Sequence, residues 1–250
     1  MKILEQVTID KRYCGPPDSG NGGYCGGLLG RYFDGVFTVR LSAPVPLDTA
    51  LNIAEDDLSS STLYLRDREQ VVVTASSGDG LDLAVPQCPS TELVEEAETR
   101  FKGFINHPFP TCFVCGPDRK IDDALCLFTG PVGGSAKASS PMVAAQWTVD
   151  GAYCDESGII QKEFLCAALD CPSSFGILEE PENLRLVPMV LGSLTVEISG
   201  MLSAGERAVV IGWPIHRSGR KATGGTAIFN ASGECVAKAK ALWISLNKNL

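Results

Sequence analysis

Residues 20–47 read GNGGYCGGLLGRYFDGVFTVRLSAPVPL, and the fold turns on how the glycines at the front of this stretch are understood. Glycine is a poor helix former, so a glycine-rich helix needs a reason. The stretch is read as a helix packed so closely that only glycines fit. Short segments follow it, VFTVRLSAPVPL, ALNIAED, STLYLRD and EQVVVTASS, whose β-branched content and period-2 patterning predict strands.

A second region repeats the plan. The helical segment IIQKEFLCAALD is followed by LGSLTVEISGML, AVVIGWPIHR, KATGGTAIFN and ECVAKAKALWISL. RSGR and ASGE supply turns between the last three, with Gly suited to hairpin positions of positive φ. Aligning VFTVRLSAPVPLDTAL with SLTVEISGMLSAGERA matches Val39 to Val196 and Leu41 to Ile198, a spacing of 157 residues, and has the look of an internal duplication. The organisation expected is a first unit over residues 1–100, a Pro/Gly/Ser-rich connector over 101–140 with a knot at TCFVCGP, and a second unit over 141–250. One helix and then antiparallel strands, twice, is not the βαβ alternation of a doubly wound enzyme. It predicts an α+β protein, each unit a long helix wrapped by a curled antiparallel sheet: a hotdog fold, and in tandem a double hotdog.

The chain has 250 residues, 44% hydrophobic and 20% charged, enough for buried cores. With no run of eighteen apolar residues, and an N-terminus that turns polar after four residues, no membrane insertion and no secretory signal are expected. The expected compartment is the cytoplasm, and the ten cysteines are read mostly as buried thiols. A net charge of −9 argues against a nucleic-acid partner. An anionic ligand would need a local cluster such as HRSGRK, residues 216–221.

GNGGYCGGLLGRY with VRLSAPVPLDTAL resembles the first half of double-hotdog acyl-CoA thioesterases of the thioesterase-like superfamily. AALDCPSSFG, LGSLTVEI and GRKATGGTAIFNASGECVAKAKALWISL resemble the second half. The resemblance implies hydrolysis of acyl-CoA thioesters in a tunnel between the units, by a water that an Asp, a Ser or Thr and a Gln orient. Asp170 and Ser193 stand at matching places, whereas the Gln position falls at Lys240 or Ala241. That departure favours the alternative, a non-catalytic binder of an acyl or small apolar ligand.

Asp170 is the leading catalytic candidate, as a base in a tunnel wall; the plain alternative is an N-cap for a helix restarting at Cys171-Pro172. Asn21, Gly22 and Gly23 open the first helix, where unpaired amides make an oxyanion or substrate site. Arg217, Arg220 and Lys221 are candidates for the phosphates of coenzyme A, which would enter as part of the substrate with no separate cofactor. His107, Cys112 and Cys115, with Cys126, have zinc-like spacing, but only one clear CxxC exists, so a structural knot and no metal are expected. No G-x-S-x-G occurs, His107 lies in the connector and His216 beside the basic turn, which argues against a Ser-His-Asp hydrolase. Sheet edges of this kind are often paired, so a homodimer is expected.

Overall fold

The computed structural model describes residues 1–56, 59–133, 142–177 and 187–246. The end of the expected connector, 134–140, lies outside the described residues.

The glycine-rich stretch is helix α1, Gly22–Gly30, wholly buried. Asn21 caps it, its side-chain oxygen accepting from the Tyr24 N–H at 2.9 Å. The glycines lie on two faces. On one, a Cβ at Gly22, Gly26 or Gly30 would come within 2.8 Å of Leu191, 2.7 Å of Val39 and 2.6 Å of Phe37. On the other, a Cβ at Gly23 would strike the Cys166 carbonyl and one at Gly27 would come within 2.5 Å of the Glu163 Cα. α1 is thus squeezed between a sheet and the helix α4, Lys162–Ala168. Close packing compensates for glycine's low propensity.

Among the described residues, eleven strands form one sheet. Its first half holds β1 (Lys2–Thr8), β2 (Phe37–Leu41), β3 (Ala50–Asp56), β4 (Ser59–Asp67) and β5 (Gln70–Ser77), in spatial order β1-β3-β4-β5-β2. The short helices α2 (Thr91–Glu98) and α3 (Gly103–Asn106) follow. The second half holds β6 (Gly130–Pro131), β7 (Val143–Thr148), then α4 and α5 (Cys171–Ile177), and β8 (Met189–Ile198), β9 (Arg207–Ser218), β10 (Lys221–Phe229) and β11 (Cys235–Ser245). Read inward from its outer edge its order is β6-β7-β9-β10-β11-β8, the first half's topology with β6 added.

The halves meet where β2 pairs antiparallel with β8. Phe37 faces Val196, Thr38 faces Thr195 and Val39 faces Leu194, so the register is its own mirror about Thr38 and Thr195. Those hydroxyls lie 2.9 Å apart. These two residues carry the same 157-residue spacing as the aligned Val39 and Val196, and a pseudo-twofold axis passes between them.

Gly219 and Gly233 take φ of 54° and 78° in the expected hairpin turns. Three features differ from expectation. The strands β1 and β7 are additional: β1 is an edge strand with charged residues, and β7 lies in a segment without clean alternation. The helix expected over 159–170 is shorter, α4 running only over Lys162–Ala168, and a separate helix α5 restarts at Cys171, where Pro172 has no N–H to give and fits a first turn. The connector contains α3 and pairs β6 onto the sheet at β7. Among the described residues no helix is long and apolar enough to cross a membrane.

Candidate active site

Asp170 stands at the break between α4 and α5 and is 2% exposed. Its Oδ2 accepts from the Gly23 N–H and from Asn21 Nδ2, both at 2.9 Å. Among the described residues its Oδ1 is buried without a partner. The carboxylate therefore caps the start of α1 in the other half, rather than its own helix α5. Burial pushes it up to about 7, opposed by the Gly23 and Asn21 donors and reinforced by Cys112. Behind it, the Trp243 indole N–H donates to Ser173 Oγ at 2.8 Å, and Ser173 donates to the Asp170 carbonyl at 3.1 Å. That chain ties the helix break to β11.

Asp170 borders a cavity of about 490 Å³. Leu41, Phe175, Leu191 and Trp243 supply apolar wall, and Asn21 and Gly22 stand beside the carboxylate. Volume and lining suit a chain-like or aromatic apolar group with a reactive end at the α1 terminus.

Asn21, Gly22 and Asp170 are brought together, with one change of role. The Gly23 N–H already serves Asp170 and Gly23 does not line the cavity, so Gly22 is the helix-start residue facing a ligand. Ser193 lies apart: it sits between Arg40 of β2 and Leu242 of β11 and does not line the cavity. A register shift between Ser193 and Leu191 turns Leu191 and Gly192 to the cavity instead. Lys240 pairs with Thr195 and Gly225, and neither it nor Ala241 borders the cavity.

Arg217, Arg220 and Lys221 form an exposed turn between β9 and β10. Lys221 pairs with Ile244, a cavity residue, so the turn adjoins the cavity's β11 rim. Arg220 is already bonded, its Nε and Nη2 donating to the Ser245 carbonyl at 3.1 and 2.9 Å.

His107 is far from either long helix in sequence but not in space. Its ring lies 5.5 Å from that of Phe175 in α5, it lines the cavity, and Nδ1 accepts from the Phe109 N–H at 3.0 Å. Burial holds it below the ordinary histidine range, hence neutral near pH 7. Cys112, Cys115 and Cys171 also border the cavity. None of these was placed at the site from sequence. One signal was available: Asp-x-x-Tyr-Cys occurs at 10–14 and again at 150–154, each Asp capping its turn and each Cys bridging to a residue six further on, Gly20 and Ile160. That repeat aligns the two helix starts and points from Asn21 to its counterpart Gln161.

No protein-family model matches the sequence, and no curated protein matches it. Solved structures do. A provisionally named thioesterase from Novosphingobium aromaticivorans aligns at TM-score 0.64 and 12% identity, over 97% of this chain and 95% of that one. A provisionally named thioesterase II from Thermobifida fusca aligns at 0.60 and 14%, over 99% and 95%. A conserved protein of unknown function with hot dog fold from Alicyclobacillus acidocaldarius aligns at 0.59 and 13%, over 97% and 92%. At such identities the likeness concerns architecture, and it is consistent along nearly the whole length: this chain has the hotdog fold.

Proposed function

We propose that the protein is a double hotdog that hydrolyses an acyl-CoA or related thioester. The observation that carries this is the buried Asp170 carboxylate in the wall of an apolar cavity, held there by the helix start of the opposite half. The thioesterase names of two structural neighbours support the reaction class.

The acyl group lies among Leu41, Leu191 and Trp243, with the thioester carbonyl toward Gly22. A thioester needs little activation beyond a positioned base and a dipole aimed at the oxyanion. Asp170, through the unpartnered Oδ1, takes a proton from water as the water oxygen bonds to the carbonyl carbon. The Gly22 N–H, at the positive end of α1, steadies the oxyanion. Collapse breaks the carbon–sulfur bond, the proton passes to the thiolate, and a carboxylic acid and a free thiol leave. Arg217, Arg220 and Lys221 lie where the phosphates of a coenzyme A carrier would emerge.

The second reading, a ligand-binding protein without turnover, is favoured by one feature: Ser193 and the last-strand position 240–241 stand away from the cavity. The two separate by incubating the purified chain with acyl-CoA esters of graded length and following free coenzyme A by chromatography. Turnover is expected, with Asp170→Asn lowering kcat by roughly a hundredfold to ten-thousandfold at similar thermal stability. Tight binding with no turnover by the wild type selects the binder, and equal turnover in both proteins removes Asp170 from the chemistry.

A further inference from the structure

We propose that Cys112, Cys115 and Cys171 form a binding site for a thiophilic divalent cation, Zn²⁺, in the wall of the cavity. The knot in the connector meets the start of α5, and the three buried sulfurs lie within 4.8 Å of one another. The Cys112 and Cys171 sulfurs are 3.7 Å apart. A tetrahedral ion with metal–sulfur bonds of about 2.3 Å holds its sulfurs about 3.8 Å apart. That pair is therefore already at ligand spacing before any metal is considered.

The first two ligands sit on a built turn. The Gly116 N–H donates to the Cys112 carbonyl at 2.9 Å, and a Cβ at Gly116 would come within 2.5 Å of the Pro110 carbonyl oxygen and 2.6 Å of Cys112 N. The loop is pinned on both sides: Phe113 N–H donates to Cys14 O, Leu125 N–H to Phe113 O and Leu127 N–H to Val114 O, at 2.8–2.9 Å. A structural knot alone requires none of the sulfurs to converge on a residue 56 positions away in sequence, as Cys115 and Cys171 do.

Two independent observations say that the cluster faces a ligand. All three cysteines border the cavity, so a fourth coordination position is reachable from it. Beside them, Asp170 Oδ1 is buried without a partner, and Asn21 Nδ2 reaches both Asp170 Oδ2 and, at 3.9 Å, the Cys171 sulfur. Three protein thiolates with an open position suit a soft, tetrahedral ion. A disulfide would satisfy two sulfurs and strand the third. The ligand set differs from the spacing-based one: Cys171 takes the place given to Cys126, and His107 stands outside the group. The site does not depend on thioester hydrolysis, and its test uses no activity.

The full chain, purified without chelator, is expected to carry one zinc per chain by elemental mass spectrometry. Cys112→Ser and Cys171→Ser are expected to lose it, and Cys88→Ser, away from the cluster, to keep it. Because a buried serine could disturb folding, the wild type stripped of metal and shown folded by circular dichroism is titrated with Co²⁺. Thiolate-to-cobalt charge-transfer absorption and tetrahedral visible bands should saturate at one equivalent and vanish on adding Zn²⁺. Folded, reduced wild type that develops no such bands overturns the site. So does fresh protein in which peptide mapping finds Cys112 linked to Cys171 or Cys115 as a disulfide.

Discussion

The two halves of the sheet share a strand order but differ in the helix each presents to the other. α1 has five glycines in nine residues and begins at a capped, donor-rich end. Its counterpart breaks into α4 and α5, and the break presents a carboxylate. At the axis, where Thr38 meets Thr195, the halves are still related by the twofold. At the helices they are complementary, one giving amides and the other the acid that takes them. Symmetry is kept where β2 and β8 pair and lost where α1 meets α4 and α5.

The largest effect should come from blunting the glycine face. Gly23→Ala puts a methyl into the Cys166 carbonyl and within 2.7 Å of the Asp170 Cβ. Neither backbone can rotate away, so a loss of about 3 kcal/mol in urea unfolding is expected, the upper end of overpacking penalties. The reverse exchange across the same contact, Ala167→Gly, should cost only about 1 kcal/mol, the propensity difference. Equal costs would mean that the helices have room to separate and that the glycines are not there for close approach.

A second effect, near 2 kcal/mol, is expected at the helix starts. Asn21 both accepts from the Tyr24 N–H and donates to Asp170, so Asn21→Ala removes a cap and leaves a buried carboxylate with one donor fewer. Its counterpart Gln161 makes no side-chain cap bond and donates instead to the Cys154 carbonyl at 3.3 Å. Gln161→Ala should cost about 0.5 kcal/mol. Matched denaturation curves for the two variants would show that the starts are equivalent after all.

Much of this architecture is legible in the chain. The glycine helix, the hairpin glycines at 219 and 233 and the duplicated Thr-Val strands are local or periodic signals, and each maps onto an observed element. What escaped has physical causes. β1 is an outer edge strand whose charged residues blur alternation, and β7, one strand in from the other edge, is a mostly buried run, VAAQWT, with no clean alternation to read. Ser193 was placed beside Asp170 by the resemblance to the thioesterase-like pattern, and a one-residue shift at Gly192 moves it away from the cavity. His107 and the CxxC loop reach the site from the connector, and no periodicity announces a contact between Cys112 and Cys171, 59 residues apart. The acid itself was legible because a lone carboxylate before a proline in an apolar helix stands out. Asn21 and Gly23 were also named, as donors to a ligand; that they bond the acid itself was not legible, because they belong to the other half.

The smallest expected effect concerns the second buried acid between the helices. Glu163, in the first turn of α4, lies against Gly27 of α1; its Oε1 is 3.8 Å from Arg31 Nη1 and its Oε2 is buried without a partner. Burial is the dominant influence and raises its pKa above 4.5, with Arg31 opposing. The folded protein then holds this proton more tightly than the unfolded chain does. Stability contributed here is full below pH 4.5 and is lost as the pH rises through the raised value. Glu163→Gln lacks that loss, so the variant should gain on the wild type between pH 4 and pH 7, by a fraction of the Asn21 effect, in urea midpoints taken at each pH. A wild type that gains on the variant over the same range would show that the Arg31 pair outweighs burial. Glu163 would then belong with Asp170, an acid of one half held in place by a donor of the other.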